Sequence, residues 1–285
     1  MRRVLLAWMV SSFLISPLYA SQSTITEADG YSCMGYDKSK KQAEEEALVN
    51  AKRKAVESVS TYIESETRLK DFKLEKDIIS AYANAAVKII QELEKGWYKD
   101  QSAGDCYRIR IKAEVIPDEK VMKKASKEKS IIDDPSAPLN VQVWTDRKEF
   151  KQGDKIKIYL KGNKPFYARV IYRDAGGNMV QLLPNPYRTD TYFNGGVVYE
   201  IPSGGDKFDL EVSPPFGEEQ ILVYAGTSLL GDIKLESAGG LYRIGIKTED
   251  IGILTRGVAI KAKEDGKGAS ASEFFEDKVM IKTKN

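Results

Sequence analysis

Apolar residues recur along the chain with two different periods. Ala43, Ala47, Ala51, Ala55, Val59 and Ile63 return at every fourth position, with Glu44, Glu45, Lys52 and Lys54 placed around the other faces. That spacing predicts an α-helix with one apolar face, opened by Asp37 or by the Ser39 and Gln42 capping pair. A stripe of small residues lets such a helix lie close on a sheet. A second helix is predicted from near Lys73, using Ile78, Tyr82 and Ala86. The stretch "DGYSCMG", from Asp29 to Gly35, reads as a short strand ahead of the first helix. Beyond the second helix, "VKIIQELEKGWY" fits helical spacing through Ile89, Ile90 and Leu93 yet also resembles a strand entering a hairpin. A strand from about Ile89 to Lys99 is the preferred reading. Tyr107, Ile109, Ile111, Ala113 and Val115 then alternate with Arg108, Arg110, Lys112 and Glu114, the mark of a half-buried strand. Strand, two helices and hairpin make an α+β domain with helices on one face, assigned to residues 21–116.

Residues 117–138, "PDEKVMKKASKEKSIIDDPSAP", are dense in charge and closed by prolines, and form a linker that can begin as a short helix. Past it the period is two. Ile156, Ile158 and Leu160; Phe166, Ala168, Val170 and Tyr172; Phe208, Leu210 and Val212; and Ile221, Val223 and Ala225 each mark one face of a strand. Turns are expected at "KGNKP", "DAGGN", "PSGGD" and "PPFGEE". The tail adds strands near Tyr242 to Lys247, Val258 to Lys263 and Lys278 to Lys282. Short strands at this spacing predict an all-β antiparallel sandwich over residues 139–285.

The first twenty residues stand apart. Arg2 and Arg3 precede an apolar run from Val4 to Ile15, Pro17 follows, and Ala20 offers a small residue for cleavage, the pattern of a secretory signal peptide. The run is well short of the roughly 20 residues that cross a bilayer, so no membrane span is expected once it is removed. The chain holds 44 Lys and Arg against 42 Asp and Glu, and loss of Arg2 and Arg3 makes the two counts equal. Without a basic surplus, nucleic-acid binding is not expected. Export to an oxidising compartment makes a disulfide the default for the only two cysteines, Cys33 and Cys106, with two buried thiols as the alternative. Cys106 falls on the polar face of its strand, so a bridge requires Cys33 to point to that same face.

Absence limits the chemistry. The chain has no histidine, which removes Ser-His-Asp and Cys-His arrangements and the common zinc sets. It has no phosphate-binding loop, dinucleotide glycine pattern or nucleophile elbow, so no cofactor or metal is expected. Ser126 to Lys129 matches S-x-x-K but lacks its partner motifs. Asp133 with Asp134, or Glu218 with Glu219, could serve glycoside cleavage only if held across a groove.

One stretch breaks the strand pattern. "LLPNPYRTDTYFNGG" places Pro184, Asn185, Tyr187, Tyr192, Phe193, Gly195 and Gly196 between two apolar runs. Proline and asparagine favour defined turns, and Gly195-Gly196 permits positive φ. The rings either cover the end of the sandwich or present an aromatic contact patch to a partner.

The region from Leu139 to Thr227 resembles the domain of unknown function numbered 4384. The features that match, in order, are the opening strand, a Gly-Asp before the second strand, a Tyr-rich third strand, a Gly-Asn hairpin, then Leu-Pro-Asn, Gly-Gly, Ile-Pro and Pro-Pro-Phe-Gly. Whether the tail belongs to it is left open. The resemblance implies a β-rich accessory module of exported bacterial proteins, with no catalytic residues to carry over. The amino-terminal half more weakly resembles the N-terminal domain of flagellar assembly protein T and related outer-membrane lipoproteins, through "DGYSCMG", "AKRKAVESVSTYI" and "YRIRIKAEV". It lacks their lipidation cysteine and the rest of a flagellar protein, so only an envelope location carries over.

These readings converge on an exported periplasmic, non-catalytic binding or assembly module of the bacterial cell envelope, whose partner is an envelope protein of unknown identity. The alternatives are a carboxylate-based hydrolase of cell-wall glycan and a structural component of an envelope machine.

Overall fold

The helix expected from the alanine stripe runs over Lys40–Glu66 (α1), and all six stripe residues are buried. Ser39 and Gln42 close a reciprocal capping box at its start, satisfying two of the backbone donors that a helix N-terminus leaves free. Alanine at these positions allows a close approach. A Cβ added to Gly30 on the underlying strand would lie 2.1 Å from the Ala47 carbonyl oxygen and 2.4 Å from the Ala51 nitrogen. The structure, a computed structural model, describes residues 21–125, 132–238, 241–256 and 271–285. The signal peptide over residues 1–20, the Ser126 to Lys129 motif and the strand expected at Val258 to Lys263 lie outside the described residues.

The amino-terminal half is an α+β layer. Strand β1 (Ser21–Cys33) pairs antiparallel with β3 (Gly104–Ile116), and β3 with β2 (Ala86–Asp100). Helices α1 and α2 (Phe72–Ala83) pack on one face, against Ala28, Ile109, Ile111, Ala113 and Val115. A short helix, α3 (Glu119–Ala125), opens the charged segment and buries Met122 and Ala125.

The carboxy-terminal half is an antiparallel β-sandwich. One sheet comprises β4 (Val141–Thr145), β6 (Ile158–Gly162) and β10 (Tyr199–Ile201). Facing it are β7 (Phe166–Arg173), β8 (Met179–Leu183), β9 (Tyr192–Phe193) and β11 (Glu218–Gly226), with Phe166, Val170, Leu183, Phe193, Ile221 and Val223 in the core between. The edge strand β5 (Glu149–Lys151) pairs in parallel with the last strand, β14 (Ser272–Lys284).

Strand β14 joins the two halves. Its first part pairs with β1, Ser21 opposite Glu276 and Ile25 opposite Ser272, while Phe274 to Lys282 pairs with β11. The result is one 11-stranded sheet whose main path runs β12, β13, β8, β7, β11, β14, β1, β3, β2, with β5 beside β14 and β9 beside β7 off that path, where β12 is Leu235–Ala238 and β13 is Leu241–Ile244. Helix α4 (Thr248–Thr255) covers the second face of this sheet, burying Ile251 with Ile25, Ile171, Leu222, Tyr224 and Phe274.

Several expectations need correction. Strand β1 begins at Ser21, eight residues before Asp29, because its first part is held by β14. Ala86 opens β2 rather than extending α2, since the chain turns at Asn84, the helix C-cap. Phe208 to Val212 is not a regular strand. Its alternation does place Val212 in the core, and it bonds the segment after β5 through Ile156 N to Leu210 O at 2.8 Å, but a single isolated bridge is all it forms. The tail contains helix α4 where strands alone were expected.

Candidate functional site

Cys33 and Cys106 sit directly opposite each other on β1 and β3 and form a disulfide. The geometric condition is met because odd residues of β1 and even residues of β3 share the face away from the helices. Tyr98 on β2, the other neighbour of Cys106, lies on the same face.

The loop after β8 is pinned at several residues. Buried Asn185 donates its side-chain amide to the Leu182 carbonyl at 2.7 Å, and its Oδ1 accepts from the backbone of Tyr187 and Arg188, both at 2.8 Å. The Pro184 carbonyl accepts from Gln181 Nε2 at 2.7 Å. Arg188 reaches Asp206 at 3.0 Å. Burial alone would raise the Asp206 carboxyl, but the Ser203 backbone and the Arg188 guanidinium together hold it below its ordinary value. Gly195 packs against the Lys164 backbone, where a Cβ would lie 2.6 Å from its Cα, and Gly196 has a φ of +74°.

The aromatic residues of this loop divide. Phe193 is a core residue, stacked on Phe166 at 5.2 Å and set edge-on to Tyr199 at 4.9 Å, so it is not available to a partner. Tyr187 and Tyr192 are 50% and 51% exposed, the first resting on Phe208 and the second edge-on to Tyr167. Val197 and Val198 follow, also exposed. The stretch is therefore both a cap of the sandwich and a display of two tyrosines.

The paired carboxylates do not face a common groove. Glu219 is buried and accepts from the hydroxyls of Tyr172 and, at 2.9 Å, Thr283, while its neighbour Glu218 is exposed. Adjacent strand residues point to opposite faces, which is what separates them. Asp133 is ion-paired with Lys161, and Asp134 Oδ1 caps the Ser136 backbone at 2.9 Å. Among the described residues there is no cluster of three or more potential metal ligands, and no helix is long and apolar enough to cross a membrane.

A feature missed in the sequence lies on the other face of the large sheet. A cleft of about 930 Å³ has a floor formed by Arg173, Gln220, Leu222 and Lys278, and a wall that includes Glu236, Arg243 and Lys247. Its residues come from β7, β11, β14 and the β12–β13 hairpin, so each looked like one charged position on the solvated face of a separate strand. Only strand order assembles them. Next to it, Arg256 at the end of α4 bonds Glu114 and, at 2.7 Å, Glu276. Burial works against its charge, but the two carboxylates outweigh that and hold the guanidinium more firmly protonated than usual.

The fold thus defines a two-layered α+β unit fused through one strand to a β-sandwich. Residues 149–228 of that sandwich match the model of a family described as a domain of unknown function, DUF4384. The match spans β5 to β11 and contains the whole pinned loop. A search of curated proteins gives no match to the chain.

Proposed function

We propose that the protein is an exported, non-catalytic binding or assembly module of the bacterial cell envelope, and that Tyr187 and Tyr192 supply its contact with a partner protein. The observation that carries this reading is the display of two half-exposed tyrosines on a loop whose backbone is already fixed. Ordering a loop on binding costs free energy, and here most of that cost is met within the folded chain. Tyrosine supplies large contact area at small entropic cost and is enriched at interfaces. Export is supported by the charged and apolar leader at residues 1–20 and by the paired cysteines. The weak resemblance of the amino-terminal half to the N-terminal domain of flagellar assembly protein T and related outer-membrane lipoproteins supports the envelope location alone.

The test is photocrosslinking in intact cells from a photoreactive residue at position 187 or 192, with Val49 on α1, exposed and remote in sequence, as the reference position. A discrete envelope protein captured from the loop but not from position 49, and lost in the Y187A/Y192A variant with unchanged thermal stability, is the expected result. Equal capture from all three positions, or none from the loop, would sink the proposal.

A further inference from the structure

We infer that the cleft on the second face of the large sheet is a binding site for an anionic ligand carrying two or more phosphate or carboxylate groups. It is independent of the tyrosine-bearing loop and of any protein partner there. Four cations line the cleft: Arg173, Arg243, Lys247 and Lys278. None of them forms an ion pair among the described residues, whereas Lys155, Lys157, Lys161, Lys164 and Arg188 of the same sandwich each hold a carboxylate.

Three carboxylates also line the cleft, none of them within ion-pair distance of these four cations. Glu276 is engaged by Arg256 at 2.7 Å, and Asp174 accepts from the backbone and side-chain amides of Asn178, both at 2.8 Å. The lining therefore carries four cations against three acids, with the cations left unpaired among the described residues. Arg173 and Lys278 are moreover half-buried on the sheet floor, where a cation has lost part of its hydration and, among the described residues, no carboxylate lies within ion-pair distance to replace it. An anion seated between floor and wall would supply that replacement.

Concave walls of low dielectric focus the field of like charges and concentrate counter-ions in the cleft. Two of the four groups are guanidinium forks, which match the paired oxygens of phosphate and carboxylate. The volume of about 930 Å³ lies within the roughly 300–1,000 Å³ of small-molecule sites. The formal neutrality of the chain without its leader means that overall charge does not create the effect.

Inorganic tripolyphosphate and citrate, titrated separately into the isotopically labelled mature protein and followed by amide NMR, test the inference. Saturable shifts at Gly177, Gly245 and Lys247 are expected, and the stronger of the two probes assigns phosphate or carboxylate as the recognised group. The R243E/K278E variant should weaken binding by about tenfold or more, while the charge-matched K120E/K207E pair, outside the cleft, changes it by less than about twofold. Shifts scattered over surface lysines, equal losses in both variants, or no saturable response to either probe would overturn the site. Because the shifted positions are read on the unaltered protein, the inference can fail even where R243E/K278E does not fold.

Discussion

Lys164 Nζ lies 3.0 Å from the carboxylate of Glu273, in a pair whose side chains are only 14% and 3% exposed. The same carboxylate accepts from Tyr62 on α1, at 3.1 Å, and from the backbone of Leu139. One glutamate on β14 therefore ties the helix layer, the end of the charged segment and the β6–β7 turn. Burial, and after it the nearby Glu273 charge, push the Tyr62 hydroxyl well above its ordinary pKa, so it stays a donor to Glu273.

Replacing Glu273 by alanine strands the part-buried Lys164 ammonium group, the part-buried Tyr62 hydroxyl and the buried Leu139 backbone N–H. A loss of about 3–5 kcal/mol is expected, the usual cost of removing one member of a buried charge pair. Urea unfolding can follow both halves separately, since Trp97 lies on β2 and Trp144 on β4. The E273A variant should lower the midpoint reported by each tryptophan by the same amount. A shift confined to one of them would contradict a shared keystone.

Gly30→Ala should destabilise far more than a surface substitution. The added methyl meets backbone atoms of α1 at 2.1 and 2.4 Å, which cannot rotate away, so the helix must lift from the sheet. The expected loss is about 1–3 kcal/mol, as for overpacked cores. Gly96→Ala on β2, with nothing within 4 Å of the new Cβ, is the paired comparison. It should be neutral or slightly stabilising by thermal unfolding; equal losses for both variants would refute the close helix approach.

Asp277 gives a pH dependence of defined sign. Burial, reinforced by the charge of Glu276, raises its pKa above the ordinary 3.8, against the lowering effect of the Lys278 backbone amide and side-chain charge. The native state therefore takes up this proton more readily than the unfolded chain. The group's contribution is most favourable below the unfolded value and is lost as pH rises through the folded value. Asp277→Asn should accordingly be more stable than the natural protein at neutral pH, with the difference shrinking as the solution is acidified toward pH 3.8. A difference that grows on acidification would contradict this sign.

Elements whose two faces meet different surroundings were legible in the sequence. The α1 stripe and the alternation of β3 each separate an apolar from a polar face, and all six predicted stripe residues are buried. β2 was ambiguous for a physical reason: register shifts between Ile89 and Gln91 and between Glu92 and Glu94 add a residue each, mixing a period of two with helix-like spacing. Ile89 consequently packs toward the helices and Ile90 toward the α4 core. β14 was read as Lys278 to Lys282 alone because its first residues, Ser272 to Phe275, are buried on both faces and show no alternation. The paired cysteines and two exposed tyrosines came from local sequence, but the cationic cleft depends on strands brought together only by the sheet.

The placement of β14 also sets a clock on folding. Neither β1 nor β11 can complete its hydrogen bonding until the chain beyond residue 270 has been delivered. Pairings of such wide sequence separation are slow to form, because loop-closure entropy is spent before any contact rewards it. Until that moment two strand edges and the apolar surface of Ile25, Leu222 and Tyr224 stand open to other chains. A chain delivered in extended form from its amino-terminal end would thus depend on protection of those edges until β14 arrives.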